Sequence, residues 1–343
     1  MLMLLAALNS PIAAQPAPNP TVVRALADRI LACHHEPTGV LFTDTLDKRA
    51  GGLIPYFAHF HAYGLLRAYE AIDDERCLSA ADTWIDWYRG HMQADGTVTD
   101  YTFNADDTLT TTGDMDSTDS YAAMYLWLVS ERYRVTGAPT EWLRERERSC
   151  FLALSGILLT MQPDGLTIAK PSYAIEYTMD NAEVIVGFRS AALIFDALEN
   201  PGMASHARRL ADRTEEELRT LYDEDRGYFA WYRDMNGDMG FALEKWYPDV
   251  MAQVLPLMRI GRPEGPDQSV LAKIVADNPL PEFDATAAQR QIWYGLAAQR
   301  VGDDEMASKL LDPLNQLSDE AIAEMSPIDC ASALEAITGG TTP

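Results

Sequence analysis

Twelve stretches of helical periodicity, alternating between two kinds, constrain this chain more than any motif in it. Six are apolar around much of their circumference: 55–71, 117–135, 180–198, 248–260, 287–301 and 326–337. Between them lie six amphipathic stretches, roughly 21–33, 77–92, 140–161, 203–222, 267–276 and 303–316. The stretch "MASHARRLADRTEEELRTLY" (203–222) shows the second kind clearly, with one narrow apolar stripe on an otherwise charged helix. A helix that is apolar all round has to be covered all round, and a striped helix covers one side of it.

The connections alternate too. A buried helix passes to the next amphipathic one through a few residues: "IDDER", "TGAP", "ENPG", "GRPEGP" or "GDDE". The return takes long irregular segments at 34–54, 93–116, 162–179 and 223–247, with shorter ones at 277–286 and 317–325. The repeat is about 55–60 residues, a helical-hairpin period. Six hairpins with buried inner helices and solvated outer ones predict an all-α fold, an (α/α)6 barrel with small β-excursions in its long loops. An open solenoid of helix pairs would give a similar pattern. Six is the count that closes, and solenoids seldom carry such unequal loops. Closure makes the inner helices parallel, so their N-termini and all the long loops gather at one end. Residues 21–343 then form a single barrel domain.

Residues 1–20, "MLMLLAALNSPIAAQPAPNP", read as a signal peptide cleaved near Ala14 and followed by a Pro-rich leader, which predicts a secreted or periplasmic protein. The apolar run is too short to span a bilayer, so no membrane insertion is expected. The net charge of −25 argues against nucleic acid as a partner. Of the four cysteines, Cys33 and Cys330 could meet in a disulfide where the barrel closes, while Cys77 and Cys150 read as buried thiols. No cysteine or histidine spacing suits zinc. "DMNGDMG" (234–240) lacks the later bidentate Glu of a calcium loop and reads as a turn, so neither metal nor cofactor is expected.

Carboxylates stand at the mouths of successive inner helices. Asp116 and Asp119 share a face three residues apart, Asp180 and Glu183 repeat that spacing with Glu176 upstream, and Asp249 opens the fourth inner helix. Asp, Ser and Thr are also ordinary N-caps, so Asp116, Ser117, Thr118, Thr178 or Asp180 could be capping residues. The same end is rich in rings: Tyr56, Tyr101, Tyr173, Tyr177, Trp231, Trp246, Tyr247 and Trp293, with Phe57 and Phe229 expected in the core. Flat rings with polar edges suit sugar faces. Paired carboxylates suit glycosidic-bond cleavage, one acid protonating the leaving oxygen and another activating water or attacking the sugar. Acids on adjacent inner helices reach the wider separation that implies inversion. A carbohydrate is therefore the expected partner, and the oligomeric state is open. A lyase or epimerase on the same barrel would use His or Tyr as proton mover, with His59 as the candidate and Lys170, Arg233 or Lys245 as anion holders. A non-catalytic glycan-binding protein would lack acids at the helix mouths.

On "DMDSTDSYAAMYLWL" (114–128), "YTMDNAEVIVGF" (177–188) and the DG turns of "ADGTVTDY" and "QPDGLTIAK", the chain resembles the six-hairpin glycosidase superfamily. That superfamily includes glycoside hydrolase family eight and the unsaturated glucuronyl hydrolases. The chain departs from family eight where its first inner helix opens "LIPYFAHFHAYG" without an acid. The resemblance implies hydrolysis of a polysaccharide or oligosaccharide by carboxylates at inner-helix N-termini. By position these are Asp116, Asp119, Asp180 and Glu183.

Overall fold

The computed structural model describes residues 17–45, 52–104, 106–280 and 283–340. Up to residue 16 the expected leader lies outside the described residues. The α-helices run α1 (Pro20–Leu31), α2 (Pro55–Ile72), α3 (Glu75–His91), α4 (Asp119–Thr136), α5 (Thr140–Arg144), α6 (Glu147–Thr160) and α7 (Thr178–Ala197). They continue as α8 (Pro201–Arg219), α9 (Met251–Ile260), α10 (Asp267–Asp277), α11 (Ala288–Val301), α12 (Asp304–Leu311), α13 (Asp319–Glu324) and α14 (Pro327–Ile337). No helix among the described residues is long and apolar enough to cross a membrane.

The apolar helices form a closed ring. α2, α4, α7, α9, α11 and α14 pack in that order, and α14 returns to α2. Closure rules out the open solenoid. The striped helices stand outside: α1 against α2 and α14, α3 against α2, α6 against α4, α8 against α7, α10 against α9 and α11, and α12 against α11. The all-round hydrophobicity of α4 is the cost-free solution for such a position, since Tyr121 to Val129 are all buried there. Glycine lets inner helices touch. A Cβ on Gly187 would stand 2.6 Å from the Cα of Ala123 in α4, and one on Gly64 would stand 2.7 Å from the Cα of Ala331 in α14.

Side-chain caps are commoner in the outer layer, although α6 and α10 there have none and the inner helix α14 is capped by Ser326. Asn19, Asp74, Asn200 and Asp303 each accept from a first-turn N–H of an outer helix. The inner helices α2, α4, α7, α9 and α11 have no side-chain cap. Their free N–H groups, with the positive end of each helix dipole, converge on the end where the long loops lie. Of the acids at the inner-helix mouths, Asp119 accepts from the first-turn N–H of Ser120, whereas Asp249 accepts from N–H groups ahead of its helix.

Short antiparallel ribbons stiffen the long loops, pairing 34–35 with 40–41, 101–103 with 109–111, and 222–223 with 228–229. A three-stranded sheet joins 175–177, 232–234 and 239–240. The 234–240 segment is a turn in which the Asp234 carboxylate accepts from the N–H groups of Asn236 and Asp238. All four cysteines are buried and no disulfide joins any of them among the described residues. Cys33 and Cys330 are not joined in the disulfide that closure could have allowed, and the Cys33 thiol faces the carbonyl of Arg29.

Candidate active site

A cleft of about 610 Å³ opens at the N-terminal end of the ring, and every inner helix contributes to it. Tyr56 and Phe57 come from α2, Ser120 from α4, Met179 and Asp180 from α7, Met251 from α9, Gln289 and Trp293 from α11, and Ile328 from α14. Asp116, Ser117, Lys170, Tyr173, Tyr177 and Tyr247 complete the wall from the loops. Phe57, expected in the core, faces the cleft, whereas Phe229 is buried in the core. Tyr173 and Tyr177 meet through their hydroxyls at 3.1 Å. Tyr247 stands 65% exposed at the mouth.

Two carboxylates reach the cleft. Asp116 is exposed, and its backbone N–H donates to the hydroxyl of Tyr121, which in turn donates to Asp100 at 2.7 Å. Asp180 is half-buried, and no other side chain hydrogen-bonds to its carboxyl among the described residues. Burial, then the charges of Asp119, Glu183 and Asp116, push the Asp180 carboxyl well above the usual carboxylate range. Asp180 thus carries a proton into pH values where an ordinary aspartate has lost it.

The other two expected catalytic acids lie beneath the floor. Asp119 is fully buried and accepts from Ser117 Oγ, Thr167 Oγ1 and the N–H of Ser120, each within 2.8 Å. Burial raises its carboxyl to about 6, against those hydrogen bonds. Glu183 is also buried, accepts from the Tyr56 hydroxyl at 2.7 Å, and is pushed up to about 7 by burial. Both touch residues that line the cleft without lining it themselves. Below them Arg259, fully buried, pairs with Glu335 at 2.6 Å and sits 4.6 Å from the Trp127 ring centroid.

Several residues expected in the cleft are elsewhere, each for a local reason. His59 is fully buried one turn deeper than Tyr56, and its Nδ1 accepts from Trp84 Nε1 at 3.2 Å between α2 and α3. Burial lowers its pKa to about 3, so it is neither placed nor charged to move a substrate proton. Glu176 alternates with Tyr177 along a strand, so one faces the cleft and the other faces away. It pairs with Arg233 at 2.7 Å, and Arg233 also holds Glu217 and Asp164. Asp249 accepts from the N–H groups of Glu244 and Lys245, shaping the turn into α9. Tyr101 packs on Trp87 and His91 of α3. Trp231 stacks on Tyr177 at 5.9 Å behind the cleft wall. Trp246 lines a neighbouring recess instead. Of the loop cations, Lys170 is bound by Asp114 and the carbonyl of Met115.

Sequence reasoning missed Ser117, Ser120, Met179, Met251, Gln289 and Ile328. Gln289 was open to discovery, because it precedes Trp293 by one helical turn and shares its face.

No protein-family profile and no curated protein matches the chain. Solved structures do. A glycosidase in complex with glucose matches 93% of this chain and 95% of its own, at 14% identity and a TM-score of 0.63. An α-amylase from Clostridium perfringens matches 93% and 97%, at 11% identity and a TM-score of 0.60. The unsaturated glucuronyl hydrolase of Bacillus sp. GL1 matches 58% of this chain, at 17% identity and a TM-score of 0.47, and the chain spans 56% of its length. The likeness rests on the first two, and it is a likeness of fold: this chain shares the (α/α)6 barrel with them.

Proposed function

We propose that the protein is a glycoside hydrolase acting on a polysaccharide or oligosaccharide, with Asp180 as general acid and Asp116 as general base. The observation that carries this reading is the Asp180 carboxyl: in the cleft, without a side-chain hydrogen-bond partner among the described residues, and held towards its protonated form by burial and three neighbouring carboxylates. A proton donor to a leaving oxygen needs that combination, and the exposed Asp116 opposite is a carboxylate that can accept a proton from water. Tyr56, Tyr173, Tyr177 and Tyr247 supply rings suited to sugar faces, and the nearly buried Trp293 backs the cleft behind them. The fold neighbours support the class, since they are named as a glycosidase and an α-amylase.

Inversion is the stereochemistry we expect. The two acids come from the mouths of neighbouring inner helices, α4 and α7, rather than from one turn, an arrangement suited to a water between base and sugar. Export to the periplasm or medium belongs to the same proposal, on the strength of the leader sequence alone.

The test is product analysis by mass spectrometry over a panel of neutral and acidic glycans. Products heavier by one water at the cut are expected, with a proton NMR time course revealing inverted configuration at the new reducing end. Asp180→Asn and Asp116→Asn should each lower kcat by about 10²- to 10⁴-fold with an unchanged unfolding midpoint. Activity surviving both substitutions would overturn the assignment. Unsaturated products would move the chemistry to a lyase.

A further inference from the structure

A second recess of about 390 Å³ adjoins the cleft. The two share Gln289 and Ile328 as a common wall, and the consecutive residues Trp246 and Tyr247 line one each. A chain of sugars threaded through the cleft would therefore enter this recess with its next unit. Trp246 is braced for contact. Its Nε1 donates to Gln289 Oε1 at 3.0 Å, and Trp293 and Tyr294 hold it edge-on at 6.2 and 5.9 Å.

The recess has one cation in its lining among the described residues, Arg290, whose guanidinium lies 5.1 Å from the Trp246 ring centroid. Arg290 is half-buried, yet it forms no ion pair and its N–H edge donates to no acceptor among the described residues. That is unusual in a chain with 52 acidic residues against 27 lysines and arginines. Arg233, by contrast, holds three carboxylates, and Arg259 pairs with Glu335. Neither of the two acids that line the recess pairs with Arg290 among the described residues. Asp284 accepts from the N–H and hydroxyl of Thr286, and Asp329 is buried. A planar, always-charged fork with open N–H groups matches a carboxylate.

We infer that this recess is a second sugar position, and that Arg290 selects there a sugar bearing a carboxylate, so the substrate is an oligosaccharide in which an acidic sugar neighbours the unit cleaved. This rests on the glycan-hydrolysing reading of the main cleft. The class is a mixed glycan with intermittent acid groups, which the strongly negative surface tolerates better than a continuous polyanion.

The test separates binding from turnover. Calorimetry measures binding of a glucuronate-containing oligosaccharide and of its carboxyl-reduced counterpart. The wild-type protein should bind the acidic form roughly tenfold or more tightly, as expected for charge-assisted hydrogen bonds. Arg290→Ala should remove that preference while leaving affinity for the reduced form unchanged, and Arg290→Lys should restore part of it. Equal affinity for the two forms, a preference that survives Arg290→Ala, or binding of neither would overturn the inference. Arg290-dependent binding without hydrolysis of any glycan would instead count against the hydrolase reading alone. Hydrolysis of a neutral glycan with no dependence on Arg290 would count against this inference alone.

Discussion

At the scale of single residues, the cleft carboxyl is shaped by carboxylates that do not line the cleft. Asp119 and Glu183 lie under the floor, and their charges help hold the proton on Asp180. Asp119→Asn removes one of those charges at neutral pH. With Asp180 as the proposed acid, the alkaline limb of the activity–pH profile should then move to lower pH, while the plateau kcat changes less. An unmoved limb would show that burial alone keeps Asp180 protonated. Glu183 carries a stability consequence of its own. Its folded pKa of about 7 lies above the unfolded value of 4.5, so the folded state binds more protons between those two pH values. Stability is therefore lost as pH rises through that window, and the loss is complete above it. Glu183→Gln keeps an acceptor for the Tyr56 hydroxyl and escapes the ionisation. Its unfolding free energy should match wild type near pH 4 and exceed it above pH 8, by up to about 3 kcal/mol. Denaturant titrations at the two pH values read this directly, and a constant gap between the proteins would refute it.

At the scale of elements, the inner ring depends on a few places where backbones come close. Gly64 is one, facing the Cα of Ala331 where α2 meets α14. Gly64→Val should wedge that seam open and lower stability by about 1–3 kcal/mol, read as a lower unfolding midpoint with little change in kcat. A neutral result would mean that the two helices can slide apart freely. Helices were legible in the sequence because their signal is local: α2 and α14 fall within a residue or two of the apolar stretches that foretold them. The mouths of α4 and α7 were legible as acidic for the same reason. Which acid faces the cleft was not, because that depends on partners far along the chain. Asp119 is buried by Thr167, 48 residues away, and Thr167 is itself held by Asn181. Glu176 and Tyr177 needed a strand assignment to be told apart, and His59 needed the angular position of α2 relative to α3. Only tertiary contacts fix these orientations.

For the whole molecule, net charge and closure are the governing facts. A charge of −25 on one barrel means self-repulsion that added salt relieves. The unfolding midpoint should rise between roughly 0.01 and 0.5 M NaCl, as the Debye length contracts from about 30 Å to a few ångströms. A falling midpoint would show that the ion pairs outside the barrel outweigh the repulsion. Closure has a consequence of another kind. The first inner helix, α2, packs against the last, α14, so the ring has no terminal hairpin that can be finished early. While the chain is being synthesised, α2 and the outer α1 wait with one flank bare until residues 327–337 emerge. The first hairpin of the barrel is thus the last to be sheltered, and a chain stalled short of α14 presents a greasy edge to whatever chaperone or protease meets it first.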